Sequence, residues 1–127
     1  QLHIAQMSNA QCLMSNIDPE ILEKIKNGMI GACKAGGTAF PFFDWQGPQV
    51  ACKTGTAEYI TEEGKYNTHA WFTIFAPVDD PKISVTVLVE GGGEGSRAAA
   101  PVARKILSNF FGVEDKFNYG SLVGEGE

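Results

Sequence analysis

Gln49-Val50-Ala51-Cys52-Lys53-Thr54-Gly55-Thr56-Ala57-Glu58-Tyr59 is the stretch whose reading decides the fold of this chain. Val50, Cys52, Thr54 and Thr56 alternate with Ala51, Lys53 and Gly55, the two-residue period of a strand with two unlike faces. Two more strand-like runs follow, His69 to Ala76 and Lys82 to Glu90, the latter carrying Ile83, Val85, Val87 and Val89 on one side. Pro77-Val78-Asp79-Asp80-Pro81 joins these two and is short enough for an antiparallel hairpin. Thr61 to Thr68, with Glu62, Glu63, Gly64 and Lys65, reads as a solvated connection between the first two strands.

Helices flank this region. Upstream, Asp18 is placed to cap and Pro19 to fill the first helical position, followed by Ile21, Leu22, Ile25, Met29 and Ile30 at helical spacing. Gly36-Gly37 reads as its stop, and residues 38–48 as a loop pinned by Phe40, Phe42, Phe43 and Trp45. Downstream, Gly91-Gly92-Gly93-Glu94-Gly95 leads into a second helix running to about Phe111. Pro101 fits only near a first turn, which predicts a start between Arg97 and Ala100. Val102, Ile106 and Phe110 form one stripe of that helix, with Ala103, Leu107 and Phe111 beside it, and Gly112 is placed to end it. The tail from Asn118 to Glu127 reads as frayed. The expected class is α+β, an antiparallel sheet flanked by helices. The first seventeen residues carry no clear signal.

The chain has 127 residues, 43% hydrophobic and 20% charged, which is the make-up of one globular domain. Ten Lys+Arg against fifteen Asp+Glu give a net charge of −5, so the basic face that nucleic acid requires is not expected. No run approaches the ~20 apolar residues of a membrane span. The chain opens on Gln1 rather than Met, which reads as a processed or cut chain with functional parts outside it. Cys12, Cys33 and Cys52 contain no C-x-x-C pair and offer no zinc pattern. They read as plain, partly buried thiols, with a Cys33–Cys52 pairing open if the compartment is oxidising. No metal or cofactor is called for.

The chemistry concentrates at Lys53-Thr54-Gly55-Thr56. Lys53 supplies a fixed positive charge, Thr54 and Thr56 place hydroxyls on one side of a strand, and Gly55 leaves room for a ligand backbone. Backbone N–H groups on such an edge can hold a developing oxyanion. An ordinary edge strand with a solubilising lysine has the same composition. Other features carry less. The Gly91 to Gly95 run is flanked by Glu90 and Glu94 and lacks the Gly-Lys-Ser/Thr of a phosphate cradle. His69 stands at a strand start, where a structural role competes with that of a general base. Glu58, Glu62 and Glu63 read as a solvated face, and the aromatics from Phe40 to Trp45 as core.

Several segments, in order, resemble a known family. They are Gly36-Gly37-Thr38-Ala39, Val50 to Glu58, His69-Ala70-Trp71-Phe72, Phe75-Ala76-Pro77 and Asp80-Pro81-Lys82, then Val87 to Gly92 and Ala99-Ala100-Pro101-Val102-Ala103. Over residues 18 to 111 they look like the C-terminal part of a penicillin-binding protein transpeptidase domain, of the class B, elongation-type kind. The resemblance implies the C-terminal portion of the β-lactamase/transpeptidase-like fold, spread over residues 1–127. It implies a serine acyl-enzyme that cross-links peptidoglycan stem peptides ending in D-alanyl-D-alanine and is trapped by β-lactams. Three motifs serve that chemistry: S-x-x-K, S-x-N and K-T-G.

By position, Lys53-Thr54-Gly55 is the third motif. Lys53 would set the electrostatics around the second motif's serine and the substrate carboxylate. Thr54 and Thr56 would receive that carboxylate, and the Thr56 backbone N–H would form half of the oxyanion hole. The other two motifs are missing. Of the six serines, Ser8, Ser15, Ser84, Ser96, Ser108 and Ser121, none opens S-x-x-K or S-x-N. The chain is therefore expected to be inactive alone, carrying one wall of a site without its nucleophile. Cys52 stands where the family most often has Gly, and its thiol is expected to be buried and to point away from Lys53.

The implied whole protein is anchored to the cytoplasmic membrane and works on its outer, periplasmic side, the anchor lying outside this chain. Two alternatives stay open, a non-catalytic β-lactam sensor of related fold and a serine β-lactamase. An apolar face from the first helix and one side of the sheet is expected to self-associate or be covered by the missing N-terminal half of the domain.

Overall fold

In the computed structural model, which describes residues 17–122, three antiparallel strands form a sheet in the order β1 (Ala51–Ile60), β2 (Tyr66–Ala76), β3 (Ile83–Val89). Helix α1 (Pro19–Cys33) precedes the sheet, and helix α2 (Gly95–Phe111) and a 3₁₀ turn (Tyr119–Leu122) follow it. This is the expected α+β arrangement.

The alternation in the strands sorts the two faces of the sheet. Cys52, Ala70, Phe72, Ile74, Ala76 and Val87 are buried, under Ala99, Ala100, Ala103 and Leu107 of α2. Phe43 stacks parallel on Phe72 at 5.8 Å and meets Trp45 edge-on at 5.8 Å, so the aromatics of the 38–48 loop do close the core. Phe40 is the exception and stays exposed. On the opposite face Lys53 and Trp71 are exposed, and the hydroxyls of Thr73 and Thr86 pair at 3.0 Å.

α1 begins as expected. Asp18 Oδ1 accepts from the Glu20 N–H at 2.8 Å, Pro19 occupies the first turn, and one orphan donor is satisfied. Its end differs in detail. Lys34 closes the helix in an extended conformation, its N–H donating to the Gly31 carbonyl, and the glycines shape the turn that follows. Gly36 has φ +84°, and a Cβ on Gly37 would lie 2.2 Å from the Gly31 oxygen. Ala39 N–H then donates back to Ala32 O at 2.9 Å, folding the turn against the helix.

Four expectations need correction. The connection between β1 and β2 shrinks to a tight turn, because Thr61 N–H donates to Lys65 O and Gly64 N–H to Thr61 O, each at 2.8 Å, with Gly64 at φ +77°. The strands therefore extend to the Ile60–Tyr66 pair. α2 starts at Gly95, earlier than expected, with Pro101 inside it. Burial of Ala99 and Ala100 against the sheet keeps those turns helical although Pro101 has no N–H for the Arg97 carbonyl. The row that α2 buries is Ala99, Ala100, Ala103, Arg104, Leu107 and Ser108, while Phe110 of the expected stripe is exposed.

The fourth correction concerns the tail. Arg104 is buried, and its Nε donates to Asp115 at 2.7 Å while its Nη1 donates to the Phe42 carbonyl. Its guanidinium lies 5.2 Å from the Phe117 ring centre. Tyr119 O–H donates to the same Asp115 carboxylate, and the Lys105 ammonium lies 4.5 Å from the Tyr119 ring centre. The expected fraying at Asn118 thus gives way to an anchored 3₁₀ turn as far as Leu122, while residues 123–127 lie outside the described residues, as does Cys12. Partial burial works to raise the Asp115 carboxyl, but the hydrogen bonds from Arg104, Tyr119 and the Phe117 N–H outweigh it and hold the group below its ordinary range. Partial burial, joined by the Asp115 carboxylate, pushes the Tyr119 phenol up.

Candidate functional site

β1 forms hydrogen bonds to one neighbour only, β2, so among the described residues the motif lies on an open sheet edge. Lys53 and Thr56 are exposed there, with Thr54 and Gly55 half-buried. Register sets Lys53 opposite Thr73, Thr54 opposite Phe72, Gly55 opposite Trp71 and Thr56 opposite Ala70. The four expected site residues are thereby brought together on one short segment, backed by the most buried part of the sheet.

Three contacts fix this segment. Thr54 Oγ1 donates to Thr38 Oγ1 at 3.1 Å, tying the strand to the Gly36-Gly37-Thr38-Ala39 turn. Lys53 Nζ donates to the Thr54 carbonyl, folding its charge back along the strand edge. Gly55 lies under Trp71, where a Cβ would sit 3.1 Å from the Trp71 Cβ. The start of α2 also presses on the same place: a Cβ on Gly95 would fall 2.1 Å from the Trp71 oxygen and 2.6 Å from the Gly55 oxygen. Only glycine permits that approach. Thr38 and Gly95 are the residues that sequence reasoning did not assign to the site. Thr38 had a signal in its Gly-Gly-Thr-Ala turn, whereas Gly95 had none beyond its place in a glycine run.

The other candidates separate from the motif. His69 Nδ1 accepts from the Gly91 N–H at 3.1 Å, and its ring stacks on Tyr59 at 4.1 Å, so the imidazole holds a turn. Glu58, Glu62 and Glu63 are exposed, and Glu63 pairs with Lys65 at 2.8 Å. A cleft of about 370 Å³ at the hairpin tip is lined by Thr61, Glu62, Glu63, Lys65, Tyr66 and Asn67, and no motif residue lines it. The Gly91–Gly93 turn spends the Gly92 N–H on Val89 O and the Gly93 N–H on Thr68 O, the opposite of a phosphate cradle. Among the described residues no group of three His, Cys, Asp or Glu side chains could hold a metal ion. Cys52 is fully buried and joined to Cys33, which corrects the expectation of plain thiols in favour of the pairing that the sequence left open, and removes a reactive thiol from the site.

The family described as "Penicillin binding protein transpeptidase domain" matches residues 3–108, most of the chain. This chain belongs to the penicillin-binding protein transpeptidase domain family. The peptidoglycan D,D-transpeptidase MrdA of Haemophilus influenzae is 42% identical over 100 residues, covering 69% of this chain and 15% of that protein. A solved complex of penicillin-binding protein 2 with MreC from Helicobacter pylori matches with TM-score 0.64 and 31% identity, over 76% of this chain and 18% of that one. The ceftriaxone acyl-enzyme of penicillin-binding protein A from Mycobacterium tuberculosis matches with TM-score 0.59 and 36% identity, over 72% of this chain and 21% of that one. The chain thus spans about a fifth or less of the length of these penicillin-binding relatives. The resemblance and the fold expected from it are borne out. The relatives are transpeptidases, which does not favour the sensor or the β-lactamase. No helix among the described residues is long and apolar enough to cross a membrane.

Proposed function

We propose that this chain is one part of a serine-type peptidoglycan D,D-transpeptidase that binds penicillin, and that it carries the substrate-holding edge of that enzyme. The observation that carries the reading is the exposed Lys53-Thr54-Gly55-Thr56 edge, held by Thr38 and backed by Gly95. A stem peptide ending in D-alanyl-D-alanine is extended, so it can lie along the open edge of β1 with its terminal carboxylate near Lys53 and the hydroxyls of Thr54 and Thr56. The Thr56 N–H supplies half of an oxyanion hole for the tetrahedral intermediate. Lys53 sets the electrostatics around the carboxylate and the second motif's serine, and β-lactams occupy the same edge.

The nucleophile and its lysine base come from residues outside this chain, because no serine here opens S-x-x-K. Ser108, on α2, is buried away from solvent and serves packing. The chain alone is therefore inactive. The exposed stripe Ile17, Ile21 and Ile25 is the surface that the rest of the domain covers, or through which isolated copies self-associate. The whole protein is anchored in the cytoplasmic membrane and works on its outer face.

The test is acylation of the full-length protein by a labelled penicillin. Lys53→Ala and Thr56→Val should each slow acylation about 10- to 100-fold, the worth of a hydrogen bond to a charged group. Unchanged acylation in both variants overturns the reading.

A further inference from the structure

The structure assigns a covalent clamp to the substrate edge: we infer that the Cys33–Cys52 disulfide positions Lys53-Thr54-Gly55-Thr56 for acylation. The inference rests on the transpeptidase reading for its consequence, though not for the bond itself. The two Cα atoms are 6.0 Å apart, within the span that disulfides bridge without backbone movement. Cys33 is the last residue of α1 and its only buried one. Cys52 is fully buried and directly precedes Lys53, so any displacement at Cys52 reaches the lysine through a single peptide unit.

The bond joins two elements that also pack against each other, the end of α1 and the start of β1. Among the described residues β1 has a strand neighbour on one side only, and α1 leaves Ile21 and Ile25 half-exposed. A further tie, from Thr54 Oγ1 to Thr38 Oγ1 in the turn after α1, is a single exposed hydrogen bond. The 19-residue separation of the cysteines spans the glycine turn and the whole 38–48 aromatic loop. Closing it restricts the unfolded chain and pins that turn beneath the motif.

Formation removes two protons and two electrons from the thiols. A thiol–disulfide oxidant accepts the electrons through a mixed disulfide and leaves as a dithiol. The exchange occurs before the core closes, since both cysteines are buried afterwards.

The experiment uses the full-length protein, prepared without reductant and mapped by mass spectrometry after alkylation in denaturant. The expected result is a linked peptide joining Cys33 to Cys52, retained when reductant is added to the native protein. Acylation by a fluorescent penicillin is then timed for Cys33→Ala, Cys52→Ala and the double variant, well below each melting temperature. Loss of one shared bond should slow acylation about tenfold in all three alike and lower Tm by about 5–10 °C. The unmutated protein refolded with and without reductant makes the same comparison without a substitution.

Free thiols at 33 and 52, or pairing of either with Cys12, overturns the bond. Additive losses in the double variant, or native acylation rates in all three folded variants, overturn the positioning role. If the unmutated protein is not acylated at all, the transpeptidase reading fails instead, and the linked peptide and shared Tm loss still decide the clamp.

Discussion

The two helices of this chain present similar amphipathic patterns and meet opposite fates. α2 buries Ala99, Ala100, Ala103, Arg104, Leu107 and Ser108 against the sheet and the tail. α1 buries Cys33 alone, and Ile21 and Ile25 keep 51% and 53% of their surface exposed. The difference teaches that periodicity tells which face of a helix is able to bury itself, and says nothing of whether its partner lies on the same chain. The face of α2 is met by strands of this chain. The stripe of α1 awaits a surface that these residues do not supply. The proposed site divides in the same way, with the Lys53-Thr54-Gly55-Thr56 edge on this chain and no serine here opening S-x-x-K.

Substitutions on the two helices should therefore differ in size. Leu107→Ala removes a fully buried side chain of α2 and should cost about 3 kcal/mol in urea unfolding of this chain. Asp115→Asn weakens the carboxylate's hold on the buried Arg104 and should cost about 2 kcal/mol, in the range of a hydrogen bond to a charged group. Asp18→Ala removes the α1 cap and should cost about 1 kcal/mol, read as lost helicity and a lower urea midpoint. Ile25→Ala, at a half-exposed position, should stay within about 0.5 kcal/mol. If Ile25→Ala were as damaging as Leu107→Ala, the contrast between the helices would collapse.

The Arg104–Asp115–Tyr119 cluster adds a pH signature. The native Asp115 carboxyl lies below its ordinary 3.8, so its contribution is full above that value and is lost as pH falls through the native one. The native Tyr119 phenol lies above its ordinary 10.0, so its contribution is full below that value and is lost as pH climbs past it. A urea midpoint measured across pH should fall on both flanks, and Asp115→Asn should flatten the acid one. An unchanged acid flank in that variant would detach the cluster from the stability of the α2 side.

Much of this was legible because the signals were local. Asp18-Pro19 is a cap whose meaning needs no distant partner, and the alternation about Lys53 marks a strand by itself. The elements that escaped depend on residues far apart in the chain. Arg104 carries no local signal of burial, because its partners are Asp115 and the distant Phe42 carbonyl. Pro101 reads as a helix start until the burial of Ala99 and Ala100 outweighs its missing N–H. The pairing of Cys33 with Cys52 could only be left open, because it depends on the end of α1 meeting the start of β1. For Gly95, the determining neighbours are the backbones of Gly55 and Trp71, invisible to side-chain pattern.

The central claim is that this chain holds the substrate and another segment attacks it. Acylating the full-length protein with a labelled penicillin and locating the modified peptide by mass spectrometry tests this directly. The account predicts one acyl group on a serine outside residues 1–127, and no mass increase when the 127-residue chain is treated alone. An acyl group mapped to any of Ser8, Ser15, Ser84, Ser96, Ser108 or Ser121 would contradict it.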